Sequence, residues 1–191
     1  SAINSSGQYL LNIINDVLDL SKIEAGKIHL QNIDTCMVSL LNEVKTYMSR
    51  FANEKNLAFN SQLHYPLPRF FNTDPTRLKQ ILLNLCNNAI KFTDKGEVAV
   101  TVRKISTSDD DIWLEFAIRD TGIGIPREKL GQIFHAFEQA DNTITRRHGG
   151  TGLGLSISKQ LTQIMNGDIG FSSQEGEGSE FWFTAEFKKH P

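Results

Sequence analysis

The sequence is poor in the features that mark several large classes of protein. Among its 191 residues there are only two cysteines, Cys36 and Cys86, and they form no C-x-x-C pair. Such sparse cysteine predicts two buried thiols in a reducing compartment, without a zinc site. No apolar run approaches the length of a membrane span, and no signal peptide opens the chain. We therefore expect this segment to be soluble, whether or not the full protein is.

Charge of one sign is also scarce. The net charge is −2 and no run of basic residues occurs, which argues against nucleic acid as the main partner. Hydrophobic residues make up 39% of the chain and charged residues 22%, which are ordinary values for a globular protein. This length and composition predict one or two domains with a substantial core.

The first 26 residues show the pattern of a single helix. Apolar residues cover about half of its cylinder, which is wider than a surface helix needs and is typical of a helix in a four-helix bundle. Gly26 ends the pattern. We therefore predict a domain boundary here, with residues 1–27 separate from residues 28–191. The alternative, an ordinary core helix of one domain, stays open.

The rest of the chain alternates between strand and helix patterns. We predict a short strand at His29–Ile33, and a helix after it that Asp34 or Thr35 caps. Further strands are expected around residues 57–61, 98–102, 113–118, 168–173 and 181–187, and further helices around 75–92 and 154–166. Strands joined by hairpins, with helices between them, predict an α+β fold: one mixed β-sheet layered against helices on a single face, preceded by the long N-terminal helix.

A row of polar side chains marks the helix that follows Asp74, a predicted N-cap. On this helix Asn84, Asn88 and Lys91 fall within about 60° of one another, and the apolar stripe lies roughly 110° away. Two carboxamides and an ammonium group offer oxygen ligands to a hard cation and positive charge to a phosphate. The alternative is a polar helix face without a ligand.

The stretch Asp120-Thr121-Gly122-Ile123-Gly124-Ile125 follows a predicted strand. Alternate glycines let the backbone approach a flat ligand closely, and the carboxylate of Asp120 can accept a hydrogen bond from an exocyclic amine such as that of adenine. An Asp-initiated turn without a ligand is the alternative interpretation.

A second glycine-rich stretch, His148-Gly149-Gly150-Thr151-Gly152-Leu153-Gly154-Leu155, runs into a predicted helix. Its N–H groups and the helix N-terminus form a natural anion site, to which Arg146 and Arg147 could add positive charge. Neither the Walker loop nor the dinucleotide pattern G-x-G-x-x-G is present. Between the two glycine-rich stretches, Phe134 and Phe137 share a helical face, either as core or as a hinge at the base of a mobile segment 138–150.

These elements together resemble a known family. The order of amide helix, D-x-G-x-G, paired phenylalanines, G-G-T-G-L-G-L and Gly-x-Gly-Ser-x-Phe is similar to the catalytic and ATP-binding domain of bacterial sensor histidine kinases. That domain shares a nucleotide-binding superfamily with gyrase, MutL and a heat-shock chaperone. The resemblance covers about residues 33–187 and is specific, since four motifs occur in order at matching spacing. Residues 1–26 look like the second helix of the family's dimerisation and phosphoacceptor hairpin.

Carried onto the matching positions, the resemblance implies a site for ATP and Mg²⁺. Asn84 and Asn88 would hold the metal, and Lys91 and Arg147 would act with Asn84 on the phosphate chain during catalysis. Asp120 would bind the adenine amine. The remaining nucleotide-binding positions implied by the resemblance are Gly122, Gly124, Phe134, Phe137, Gly150, Thr151, Gly152, Leu153, Gly154 and Ser179.

The resemblance also implies a reaction and its partners. Mg²⁺-ATP would donate its γ-phosphoryl group to a histidine of a hairpin of the same protein, in two-component signalling through a response regulator or receiver domain. The parent protein would be a homodimer, and this part of it cytoplasmic even if other segments anchor it in the inner membrane. A non-catalytic nucleotide-sensing or dimerisation module is the alternative.

One feature departs from the family pattern. The family's acceptor histidine is followed by an acidic residue, whereas the five histidines here are followed by Leu30, Tyr65, Ala136, Gly149 and Pro191. We therefore expect a kinase fragment without its phosphoacceptor.

Overall fold

A computed structural model describes residues 2–134 and 152–189. Within these residues, four helices accompany one mixed sheet of seven strands. The helices are α1 (Ala2–Glu24), α2 (Met37–Glu54), α3 (Pro75–Lys91) and α4 (Gly154–Ile164). The strands are β1 (Ile33–Cys36), β2 (Ala58–His64), β3 (Phe70–Thr73), β4 (Glu97–Thr107), β5 (Asp111–Asp120), β6 (Ile169–Gln174) and β7 (Gly178–Lys189). The predicted α+β class is confirmed.

The sheet is organised around strand β7. Its order is β1-β3-β7-β5-β4-β2, and β6 pairs with β7 off this path. Strand β7 pairs with β5 along most of its length, with β6 at its beginning and with β3 at its end. Among the described strands, only β2 and β4 run parallel, with Ala58 opposite Glu97. The register of β5 and β7 places Asp120 opposite Ser179.

The core lies between the sheet and helices α2, α3 and α4. From residue 98 to 102, strand β4 alternates between buried and half-buried positions, and Val98, Val100 and Val102 are its buried side chains. The rings of Phe116 and Phe183, on neighbouring strands, stack with their centroids 4.7 Å apart. Alternation of this kind is what a sheet with one face against helices requires.

Helix α3 has a well-defined start. Asp74 is its N-cap and accepts hydrogen bonds on Oδ1 from the backbone N–H groups of Thr76 and Arg77, at 3.0 Å each. Its Oδ2 accepts a third, from the N–H of Gln31, at 2.9 Å. The predicted cap is therefore confirmed, and it also fixes the segment that leads into β1.

The predicted N-terminal helix is confirmed in part, over residues 13–24 of α1, and Gly26 follows α1 with a φ of +63°. Near its end, Leu20 and Ile23 pack against the core. The Oδ2 atom of Asp19 accepts a 2.9 Å hydrogen bond from the side chain of Gln80 on α3. Further from the core, exposed apolar side chains cover α1, namely Leu10, Leu11, Ile14, Val17 and Leu18. The boundary between residues 1–27 and 28–191 stays a prediction.

Three local predictions are wrong. The first strand is Ile33–Cys36 rather than His29–Ile33, and it contains both Asp34 and Thr35, so neither caps α2. These two residues pair instead with Asn72 and Phe71 on β3, a strand that the sequence pattern did not indicate. Cys36, predicted to be buried, is half-buried.

The second cysteine is buried, as expected. Cys86 is buried, which raises the pKa of its thiol to about 12, so the group stays protonated at neutral pH. No helix in the described part of the chain is long and apolar enough to cross a membrane.

Replacing the α3 cap should destabilise the fold. Asp74→Ala leaves two helix N–H groups and that of Gln31 without their acceptor, so we expect the free energy of unfolding to fall by about 1–2 kcal/mol. Urea denaturation measures it. Asp94→Ala, at an exposed position just beyond α3, is the control and should change stability by less than about 0.5 kcal/mol. Equal effects of the two substitutions would contradict the cap's importance.

Candidate functional site

The polar row of α3 borders the start of α4. Asn84, Asn88 and Lys91 are all half-buried on this helix. The side-chain amide of Asn84 donates hydrogen bonds to the carbonyl of Gly154, at 2.5 Å, and to the hydroxyl of Ser158, at 3.0 Å. A Cβ atom at Gly154 would lie 2.5 Å from Oδ1 of Asn84, so a larger residue here would displace the Asn84 side chain. The second glycine-rich stretch and the amide row therefore meet at Asn84 and Gly154.

Lys91 carries a partly desolvated charge. Burial lowers the pKa of its ammonium group, and its Nζ lies 4.8 Å from the centroid of the Phe92 ring. Within residues 2–134 and 152–189 no carboxylate forms an ion pair with this lysine. Its charge is thus available to an anionic ligand.

Asp120 lies at the end of β5, buried with 6% of its surface exposed. Its Oδ1 accepts hydrogen bonds from the backbone N–H of Gly122, at 2.8 Å, and of Ser179, at 3.3 Å. Burial raises the pKa of this carboxyl, and the two N–H groups oppose the rise. Both bonds end on Oδ1, and no described residue donates to Oδ2. The second oxygen is free to accept from a ligand.

The loop after Asp120 is wedged between α3 and the β6–β7 turn. The N–H of Ile123 donates to the carbonyl of Phe92 at 3.1 Å, and the carbonyl of Ile123 accepts from Gly176 at 2.7 Å. A Cβ at Gly122 would lie 2.3 Å from the Phe92 carbonyl oxygen, and Gly124 has a φ of +67°. These contacts require glycine at both positions and hold Asp120 close to the last turn of α3.

Helix α4 begins directly after Gly152 and Leu153. Gly152 has a φ of +70°, and Leu153 follows it with its side chain buried. No side-chain hydrogen bond caps α4 within the described residues. An uncapped helix N-terminus of this kind can bind an anion. The predictions for Phe137, Arg147, Gly150, Thr151 and the segment 138–150 fall outside the described residues.

Phe134 belongs to an aromatic cluster. Its ring centroid lies 5.8 Å from that of Phe171 and 6.5 Å from that of Phe181, and the Nζ of Lys159 lies 5.7 Å away. These contacts support the interpretation of Phe134 as a packing residue. Its contact with a nucleotide stays a prediction.

Several residues of the site were not predicted. The hydroxyl of Ser158 accepts a hydrogen bond from the side-chain amide of Asn84, and the hydroxyl of Ser173 contacts that of Ser179 at 2.8 Å. The carbonyl of Phe92 accepts a hydrogen bond from the glycine loop, at Ile123. The serines have no motif of their own, and a backbone carbonyl leaves no trace in a sequence. Only the three-dimensional arrangement identifies them.

The residues present fit a metal that is bound together with phosphates. No cluster of three or more histidine, cysteine, aspartate or glutamate side chains occurs in the part of the chain that the structure describes. The neutral amide oxygens of Asn84 and Asn88 form a weak donor set by themselves. Mg²⁺ commonly takes only one or two protein ligands and completes its shell with substrate phosphates and water.

Comparison with known proteins identifies the family. Residues 73–189, more than half of the chain, match the family described as histidine kinase-, DNA gyrase B- and HSP90-like ATPases. The chain belongs to this family.

Similar proteins agree with this assignment. The domain is 46% identical over 191 residues to the signal transduction histidine-protein kinase BarA of Escherichia coli K12, covering all of this chain and 21% of BarA. It is 44% identical over 187 residues to the sensor histidine kinase GacS of Pseudomonas protegens, covering 98% of this chain and 20% of GacS. The chain thus spans about a fifth of the length of these relatives.

Solved structures show the same fold as this chain. Full-length ShkA in complex with AMPPNP superposes with a TM-score of 0.87 at 36% identity, over 99% of this chain and 38% of ShkA. The histidine kinase AdeS of Acinetobacter baumannii has a TM-score of 0.72 at 20% identity, over 100% of this chain and 83% of that one.

The charge of Asp120 should cost stability. Because burial raises its pKa above the usual 3.8, the folded state binds this proton more tightly than the unfolded state does, and stability falls as pH rises between the two pKa values. Asp120→Asn removes the buried charge but keeps an oxygen for both N–H donors. We expect its thermal unfolding midpoint to equal or exceed that of the wild type at pH 7.

The difference between the two midpoints should shrink as the pH falls through the raised pKa of Asp120, because the wild-type carboxyl then takes up its proton. Asp109→Asn, in an exposed loop, is the control and should change neither midpoint. A substantially lower midpoint for Asp120→Asn at pH 7 would contradict the expectation.

Proposed function

We propose that this domain binds Mg²⁺-ATP and transfers the γ-phosphoryl group to a histidine on a hairpin helix outside residues 1–191. The observation that carries the proposal is the convergence at α3. This helix carries Lys91. The loop after Asp120 bonds to the carbonyl of Phe92 at its end, and the start of α4 bonds to Asn84 through the carbonyl of Gly154. The identity to proteins named as histidine kinases, and the AMPPNP in the ShkA complex, support it.

Asp120 is the proposed adenine-binding residue. Its Oδ2 would accept a hydrogen bond from the exocyclic amine, while Oδ1 stays bonded to Gly122 and Ser179. Gly122 and Gly124 would let the base lie close to the backbone, because neither position has room for a side chain. This arrangement selects a base with a donor at that position.

The phosphates would lie between α3 and the start of α4. Lys91 and the N–H groups of α4 would supply positive charge, and Asn88 would offer an amide oxygen to Mg²⁺. Asn84 would offer its Oδ1 to the same ion, while its Nδ2 stays hydrogen-bonded to Gly154 and Ser158. Mg²⁺, when bound, would neutralise charge on the phosphate oxygens, and the chain itself would contribute position and electrostatics.

The residue at position 84 favours transfer over hydrolysis. The hydrolysing members of the superfamily that this chain resembles carry a glutamate one turn before the metal-binding asparagine, where it can act as a general base towards water. A carboxamide here has no basic lone pair at neutral pH. A histidine acceptor carries its own nucleophilic lone pair, so it needs no such base.

The partners follow from the same proposal. The acceptor hairpin belongs to the same protein, in which two copies form a homodimer, and a response regulator or receiver domain takes the phosphoryl group onward. The words sensor and signal transduction in the names of the relatives support this role.

Removing the proposed metal ligand should make nucleotide binding insensitive to Mg²⁺. For Asn88→Ala we expect an affinity for Mg²⁺-ATP about tenfold lower, with little change for metal-free ATP. Asn87→Ala, at an exposed position on the same helix, is the control. Asp120→Asn should weaken binding equally with and without Mg²⁺. Titration calorimetry measures all three, and equal losses in both conditions for Asn88→Ala would disprove its metal role.

Phosphoryl transfer itself can be measured with two proteins. Residues 1–191 are mixed with the phosphoacceptor hairpin of the full-length protein and labelled ATP. We expect acid-labile label on the hairpin histidine, and none when that histidine is replaced by glutamine or when the kinase domain carries Asp120→Asn. Binding of ATP without any labelled hairpin would instead indicate a nucleotide-sensing module.

A further inference from the structure

The ammonium group of Lys55 lies at the end of α3. Its Nζ donates to three backbone carbonyls, those of Ile90 at 2.9 Å, Lys91 at 2.8 Å and Thr93 at 3.1 Å. A lysine ammonium has three protons, so all of them are used on a single helix end. The last carbonyls of a helix carry partial negative charge, which makes this a favourable position for a cation.

The other carbonyls of this helix end also have partners. The hydroxyl of Thr93 donates to Ala89 at 2.7 Å, and the N–H of Phe92 donates to Asn88 at 3.0 Å. The next carbonyl, that of Phe92, accepts from the N–H of Ile123. Lys55 therefore satisfies the remaining carbonyls at the end of α3. The next residue, Phe92, bonds directly to the glycine loop.

The backbone of Lys55 is itself held in place. It is the C-cap residue of α2, and its N–H donates to Ala52 at 3.0 Å. Leu57, two residues on, also donates to Ala52, and β2 then begins its parallel pairing with β4 at Ala58. The ammonium thus reaches α3 from a fixed turn. Lys55 can therefore hold the end of α3 in place as well as supply charge to it.

We propose that Lys55 is a positioning residue for nucleotide binding: by holding the last turn of α3, it sets the placement of Asn88 and Lys91 and of the loop that follows Asp120. The inference rests on the proposed function, since it assigns these groups to the nucleotide. It adds a residue from outside the four sequence motifs. Lys55 touches neither the base nor the phosphates, and acts through the helix end.

The test compares Lys55→Met, which keeps an apolar stem of similar length, with Lys55→Arg, which keeps charge and several donors. Calorimetry with Mg²⁺-AMPPNP should show an affinity about tenfold lower for Lys55→Met, and within about threefold of wild type for Lys55→Arg. Lys45→Met, on the exposed face of α2, the helix that Lys55 follows, is the matched control and should bind as the wild type does.

A second control separates positioning from loss of stability. Phe187 is buried towards the far end of β7, eight residues and about 26 Å of strand from Ser179. Phe187→Leu should lower the thermal unfolding midpoint without changing nucleotide affinity. Should Lys55→Met fail to fold, Lys55→Gln takes its place, with a loss of affinity of about threefold expected.

Hydrogen exchange of the nucleotide-free protein gives an independent measurement. The amide of Ile123 should exchange at least about tenfold faster in Lys55→Met than in the wild type, with Lys55→Arg restoring protection and amides of β7 unchanged. The difference in exchange at Ile123 does not depend on nucleotide and should appear even if AMPPNP bound to no variant. Failure of AMPPNP to bind would count against the proposed function alone. Unchanged Ile123 exchange, an affinity within twofold of wild type for Lys55→Met, or an equal loss for Phe187→Leu would overturn the role of Lys55.

Discussion

The rotation of α3 about its own axis is the constraint on which the site depends. Four of its apolar side chains, Leu78, Ile81, Leu82 and Leu85, are at most 1% exposed. Turning the helix by even a third of a turn would expose several of them, at a cost of roughly 1.5–3 kcal/mol for each large side chain. Because the amide row lies at a fixed angle from this stripe, packing of the core aims Asn84, Asn88 and Lys91 at the border between α3 and α4.

The two ends of α3 are fixed by polar groups from elsewhere in the chain. Asp74 closes its beginning and ties it to the segment before β1. At its other end, the carbonyl of Phe92 receives the N–H of Ile123, so the glycine loop is attached to the helix rather than to the sheet alone. Burial fixes the orientation of the helix, whereas these hydrogen bonds fix its position along its axis.

The parts of this structure that sequence could predict are those with local signals. The alternating valines of β4, the cap at Asp74 and the glycine-rich turns each carry a pattern within a few residues. Strand β3 was not predicted and β1 was predicted a few residues too early. Each has only four residues and is defined by a partner about 38 positions away, as in the pair Asp34–Asn72. Capping preference of Asp34 and Thr35 was overridden by that pairing.

The candidate site shows the same division. The resemblance implied a common site for Asp120, Gly122, Ser179, Asn84 and Gly154. In the structure the carboxylate of Asp120 accepts from the N–H groups of Gly122 and Ser179, and the amide of Asn84 donates to Gly154. The resemblance could not indicate that the amide nitrogen of Asn84 is already bonded to α4, since this depends on Ser158, an unremarkable serine one turn into that helix. These hydrogen bonds fix the orientation of the Asn84 side chain.

The parallel pairing of β2 with β4 has a consequence for how the domain forms. Two adjacent parallel strands need a crossover, and here the intervening chain, from His64 to Glu97, contains β3 and the whole of α3. The sheet edge can close only when this long loop is closed, and the helix that bears the amide row lies inside it. Edge and helix should therefore behave as one cooperative unit, which opens and reforms together, so that the chain acquires its ligand-binding groups in a late, non-local step of folding.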